Sequence, residues 1–147
     1  MLKASEEMGM RTYMLLTPSL PEEELAAIHE QYSDPEGLIT TCFGLHSVYT
    51  PTPEFYEMII RLVNKYHTPF YIHASETPNE VKECMELRNM TPVQFVESMD
   101  LFKYGGGIYH GVVLNDNDYE IIKKHNLTVV TCPGSNTKLE KNKKKKK

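Results

Sequence analysis

The chain has 147 residues, 40% of them hydrophobic and 24% charged, which is ordinary for one globular domain with a real core. Its net charge of −4 understates its acidity: Lys141 and Lys143 to Lys147 supply six of the sixteen basic residues, leaving ten against twenty acidic ones, a balance that argues against nucleic acid as the main partner. No apolar run approaches the roughly 20 residues of a membrane span, the first residues lack the apolar stretch of a secretory signal, and Cys42, Cys84 and Cys132 form neither a disulfide framework nor a CxxC metal site, so the cytoplasm is the expected compartment.

Residues 1–9 are rich in helix formers and end at Gly9, which reads as the last turns of a helix. Thr12 to Leu16 is a short apolar strand. Pro21 followed by Glu22, Glu23 and Glu24 opens a helix, with φ fixed at the first position and acids at the positive dipole end. Asp34 to Gly37 is a turn, and Leu38 to Leu45 the second strand. After Thr52-Pro53, the apolar residues Phe55, Met58, Ile59, Leu62, Val63 and Tyr66 fall at intervals of three and four, one helix face against a core.

Phe70 to Ser75 reads as a buried strand that runs directly into a helix start. Thr77-Pro-Asn-Glu80 is a capping box with proline at the first helical position, and Thr91-Pro-Val-Gln94 repeats the device. Gly105 to Val113 is a glycine-led strand, too early in its unit to be a phosphate loop. Asn115-Asp116 caps a helix through His125, and Leu127 to Cys132 is the last strand. Strands alternating with helices through five strands imply an α/β fold with a parallel sheet, over residues 1–139. Residues 140–147 are a lysine-rich tail with no apolar residue, expected to be disordered.

The six histidines fall into two groups. His29, His67 and His125 lie near expected helix C-termini, where an imidazole suits the negative dipole end, and read as solvated helix ends. His46, His73 and His110 lie at or near the C-terminal ends of three different strands. In parallel α/β folds that edge is where ligands bind. One such histidine is commonly a hydrogen-bonded core residue; three on one edge point to a site, and imidazole is a common metal ligand. Glu76 follows the same strand as His73; beside a metal-bound water it is placed to take a proton and hand it to a leaving amine. Cys132 lacks any neighbour that would favour its thiolate and reads as packed.

Four stretches then occur together and in order: Phe43-Gly-Leu-His-Ser-Val-Tyr-Thr50; Ile72-His-Ala-Ser-Glu-Thr77 with Glu80-Val81; Tyr109-His-Gly-Val-Val-Leu114; and Thr131-Cys-Pro-Gly-Ser-Asn-Thr-Lys-Leu139. Over residues 38–139 the chain resembles the metal-dependent amidohydrolase superfamily, most of all its 5′-methylthioadenosine/S-adenosylhomocysteine deaminase branch, with guanine deaminases and chlorohydrolases nearby. The resemblance implies a partial (β/α)8 TIM barrel, strands three to seven, binding one divalent metal, zinc or iron. It implies that His73 and His110 are metal ligands, that Glu76 is the catalytic proton shuttle, and that His46 contacts substrate. Ser135-Asn136 matches a family signature, taken as structural. The family's His-x-His pair is absent, as is its metal-binding aspartate, and position 113 is Val.

The expected function is therefore that of part of a hydrolytic deaminase acting on an aminated purine or nucleoside-type ring, with too few ligands for turnover alone. The alternative is a non-catalytic open α/β binding module or a degenerate pseudoenzyme. Two open sheet edges are expected to favour self-association.

Overall fold

A computed structural model describes residues 2–34 and 36–137. The lysine-rich tail and Pro35 of the expected turn lie outside the described residues; the turn's Gly37 amide donates to the Asp34 carbonyl at 3.1 Å.

The elements run α1 (Leu2–Glu7), β1 (Thr12–Leu16), α2 (Glu22–Tyr32), β2 (Ile39–Leu45), α3 (Pro53–Tyr66), β3 (Phe70–Ala74), α4 (Pro78–Arg88), α5 (Pro92–Ser98), β4 (Gly106–His110), α6 (Asp116–Lys124) and β5 (Thr128–Val130). The five strands form one sheet in the order β1-β2-β3-β4-β5, and every neighbouring pair is parallel. Sequential order with no reversal is the winding of a barrel arc; a doubly wound sheet reverses direction partway.

The core lies on one face of this sheet. Phe43 and Leu45 of β2, Phe70, Ile72 and Ala74 of β3, and Ile108 of β4 are fully buried. Helix α3 lays Tyr56, Ile59, Leu62 and Val63 on that core, each such side chain contributing about 1.5–3 kcal/mol of burial. Helices α4, α5 and α6 each start with a complete capping box, built on Thr77, Thr91 and Asn115. Thr91 Oγ1 also donates to Asp118 Oδ1 at 2.5 Å, locking the start of α5 to the start of α6.

Strand β4 is admitted beside β3 by a glycine. Gly106 has φ +123°, and a Cβ there would sit 1.9 Å from the Phe70 carbonyl oxygen. The strand is also shorter than the sequence suggests. It ends at His110, whose φ of +76° turns the chain out of the extended conformation, so Val112 and Val113 fall in the loop. Two of the three helix-end histidines are not solvated. His29 packs on Phe43 and Tyr66, with its Nδ1 2.6 Å from Thr41 Oγ1. His125 pairs with Glu97 at 2.8 Å. Their helix ends face the sheet and a neighbouring helix, so the dipole argument placed them correctly along the chain while packing set their exposure. His67 is exposed and stacks on Tyr104.

Candidate functional site

Strand alternation sets the first residue of the site. In β3 the residues Phe70, Ile72 and Ala74 face the core, so Tyr71 and His73 face the other side. There His73 joins Tyr109, ring centroids 4.9 Å apart. Alternation alone would give His110 to the helix-covered face, beside its register partner Ala74. Its left-handed backbone cancels that: the His110 ring lies 5.4 Å from that of His73, and its Nε2 is 3.4 Å from Glu76 Oε1. Ser75, at the matching exit of β3, is also left-handed, at φ +56°. Non-glycine residues held in this conformation cost about 1–3 kcal/mol each and cluster at functional sites.

His46 leaves the end of β2 beside them, its ring 5.0 Å from that of His73. Its carbonyl accepts from the His73 backbone amide at 3.2 Å and from His73 Nδ1 at 2.8 Å. A carbonyl only accepts, so Nδ1 of His73 carries the proton and Nε2 keeps its lone pair. His110 Nδ1 is 3.0 Å from Asn136 Oδ1, which assigns it the same tautomer. Both imidazoles are thus held from behind by an oxygen, the arrangement that orients a metal-binding histidine. Burial pushes the His73 imidazole below its ordinary pKa, against the opposing pull of the His46 carbonyl bond, which favours the neutral, ligand-competent form.

Glu76 is positioned by Glu80. The Glu80 carboxylate accepts from the backbone amides of Ser75, Glu76 and Thr77 at 3.1, 2.7 and 3.4 Å, pinning the turn that presents Glu76. Burial raises the Glu80 pKa despite these three bonds, and the nearby Glu76 charge pushes the same way. Ser135 Oγ donates to Glu76 Oε1 at 3.4 Å. His46, His73, Glu76, Glu80 and His110 line one hollow of about 200 Å³, with Ser47 and Tyr49.

All four residues expected from the sequence are therefore brought together. The hollow also fits half of a metal site: two imidazoles whose Nδ1 atoms are held from behind, and a carboxylate 3.4 Å from His110 Nε2. Among the described residues no group of three or more His, Cys, Asp or Glu side chains is arranged to hold an ion. Three further contributors were not assigned to the site from the sequence. Glu80 was legible only as a helix cap, while Asn136 and Ser135 were read as structural; they reach His110 and Glu76 from the helical turn over residues 133–137. No helix among the described residues is long and apolar enough to cross a membrane.

The profile of the Amidohydrolase family matches residues 1–145, a wider span than the sequence motifs covered. A 5-methylthioadenosine/S-adenosylhomocysteine deaminase of Bacillus cereus (strain AH820) is 36% identical over 140 residues, covering 89% of this chain and 32% of that protein. The chain thus spans about a third of the length of the curated relatives it matches. Among solved structures, an adenosine deaminase from Xanthomonas campestris with bound zinc aligns with a TM-score of 0.77 at 23% identity, over 95% of this chain and 34% of that one. A guanine deaminase from C. acetobutylicum with bound guanine aligns with a TM-score of 0.72 at 18% identity, over 95% and 39%. At these identities the structures speak for the fold alone, and they make the five-stranded arc a segment of a TIM barrel of the amidohydrolase type. Sequence, sheet winding and motif register agree: the chain belongs to the amidohydrolase family.

Proposed function

We propose that this chain forms one wall of a hydrolytic deaminase site for an aminated purine-type ring. The observation that carries the reading is the convergence of His73, His110 and Glu76 on one hollow at the C-terminal ends of adjacent strands, with His110 Nε2 3.4 Å from Glu76 Oε1. The names of the relatives, which specify methylthioadenosine and S-adenosylhomocysteine, support the purine class.

In this reading His73 and His110 would hold a divalent ion, zinc or iron, through Nε2. Such an ion, when bound, supplies a Lewis acid and makes a water acidic near neutral pH. Glu76 would hold a proton at Oε1 and deliver it to the ring's departing amino group. Water oxygen bonds to the ring carbon, the carbon–nitrogen bond breaks, and ammonia leaves. His46, exposed at the rim, contacts the ring.

A catalytic zinc normally has three protein ligands, and of the three imidazoles that line this hollow the reading gives two, His73 and His110, to the ion. The chain alone is therefore expected to bind zinc weakly and to release no ammonia from methylthioadenosine, adenosine or guanine. Ammonia above background that disappears in Glu76→Gln would overturn the expectation of inactivity while supporting the role of Glu76. The same shortage of ligands favours a second reading, a non-catalytic α/β binding module in which His73 and Glu76 only brace loops. Zinc uptake by equilibrium dialysis separates the two. Binding that is lost in the His73→Ala, His110→Ala double variant supports the deaminase wall, and an absence of metal affinity supports the binding module.

A further inference from the structure

Two imidazole–carboxylate pairs in this molecule have different geometries. His125 Nε2 lies 2.9 Å from Glu97 Oε1 and 2.8 Å from Glu97 Oε2, the separation of a charge-assisted hydrogen bond. His110 Nε2 and Glu76 Oε1 stand 3.4 Å apart, and Ser135 Oγ is equally far, at 3.4 Å, from the same oxygen. Both separations are long for a strong hydrogen bond to an ionised carboxylate.

The chemistry around His110 accounts for the gap. Its Nδ1 proton goes to Asn136 Oδ1 at 3.0 Å, which leaves Nε2 with a lone pair. An ionised Glu76 also offers only lone pairs. Two acceptors therefore face each other across 3.4 Å, an arrangement that a cation between them makes favourable. His73 brings a third acceptor to the same hollow, because its Nδ1 proton goes to the His46 carbonyl at 2.8 Å.

The spacings suit an ion. Ligand bonds of about 2.0–2.2 Å in tetrahedral geometry put neighbouring nitrogen and oxygen donors about 3.3–3.5 Å apart, and the centroids of neighbouring imidazoles about 5 Å apart. The corresponding separations here are 3.4 Å for His110 Nε2 and Glu76 Oε1 and 5.4 Å for the His73 and His110 rings. As the side chains stand, no three donors among the described residues converge on one point. Glu76 has the freedom to close the set: its side chain is 27% exposed, while Glu80 holds the backbone amides of Ser75, Glu76 and Thr77 in place.

We infer that Glu76 is itself a metal ligand in this chain, so that His73, His110 and Glu76 form a two-histidine, one-carboxylate site for zinc or iron(II). The inference rests on the ion of the reading above and changes the part of Glu76, from proton carrier to ligand, while this chain supplies every protein donor. Three ligands retain an ion that two imidazoles hold weakly. A carboxylate bound to that ion no longer takes up a proton near neutral pH, so the chain alone is a metal-binding module without hydrolysis.

The test is a competition titration of the full 147-residue chain with zinc against a chromogenic chelator, repeated on Glu76→Gln with its fold checked by circular dichroism. A ligand role predicts that zinc affinity falls at least about tenfold in Glu76→Gln; a proton carrier alone leaves it unchanged. Loss of a nearby negative charge also weakens cation binding, so a second measurement follows the Glu76 side-chain carboxyl carbon by ¹³C NMR as zinc is added. The expected result is a shift of that signal that saturates with the His73 and His110 ring signals. Zinc binding with affinity unchanged in Glu76→Gln, or with the Glu76 carboxyl signal unmoved, overturns the inference and leaves the deaminase wall standing. No zinc binding by the unaltered chain removes both.

Discussion

The two faces of this sheet are built on different principles. On the helix-covered face Phe43, Leu45, Phe70, Ile72 and Ile108 are fully buried, and their chemistry is interchangeable hydrocarbon. The opposite face carries Tyr13, Tyr71, Tyr109 and His73, in edge and tilted ring contacts 4.9–6.0 Å apart, and Tyr13 is still 52% exposed. Area removed from water specifies the first face. The second contributes less to stability and holds polar, orientable groups where the strands end. A fold that can be read from hydrophobic spacing and a site that depends on a few dihedral angles therefore occupy opposite sides of the same five strands.

The largest expected effect separates adjacent residues on one strand. Ile72→Ala should destabilise the chain by about 3 kcal/mol in urea unfolding, whereas His73→Ala should cost less than about 1 kcal/mol. Equal costs would erase the distinction between the faces. Gly106→Ala comes next, at about 2–3 kcal/mol, because its Cβ would meet the Phe70 carbonyl at 1.9 Å in a left-handed backbone. Glu80→Ala leaves three backbone amides without their acceptor and should cost about 1–2 kcal/mol. Faster hydrogen exchange confined to Ser75, Glu76 and Thr77 would show that Glu80 shapes the turn that presents Glu76, and unchanged exchange there would assign it to α4 alone.

Smaller still is a pH effect from the structural side. Burial lowers the His29 pKa below its ordinary 6.5, against the opposing charge of Glu30. Between the folded and unfolded values the unfolded chain binds more protons, so stability present above about pH 6.5 falls as the pH drops through that window. Denaturation midpoints at successive pH values should show this slope, and His29→Gln should flatten it. The uncovered face also predicts behaviour in solution. Edge strands β1 and β5 pair on one side each among the described residues, so self-association is expected. A compact monomer in size-exclusion chromatography at high concentration would count against it.

Most of the first face was legible in the sequence, because helix periodicity in α3 and the capping boxes at Thr77 and Thr91 are local signals. The strand-end positions of His46, His73 and His110 were legible from the strand-helix alternation. What no spacing rule could provide was the means of bringing them together. His110 reaches the hollow through a left-handed dihedral that its sequence neighbours do not announce, and strand alternation by itself assigns it to the wrong face. Glu80 showed its role at the helix start and concealed its role in the site, since one carboxylate performs both. Asn136 lies 26 residues from His110, a pairing that local pattern cannot disclose.

The central claim is that His73 and His110 present Nε2 to a shared hollow while Nδ1 stays protonated. Long-range ¹H–¹⁵N correlation spectra of the imidazoles during a zinc titration test it most directly. The account predicts that the Nε2 resonances of His73 and His110 move together, that both Nδ1 signals remain protonated, and that His67 stays still. Independent movement of the two rings, or a response confined to exposed histidines, would contradict it.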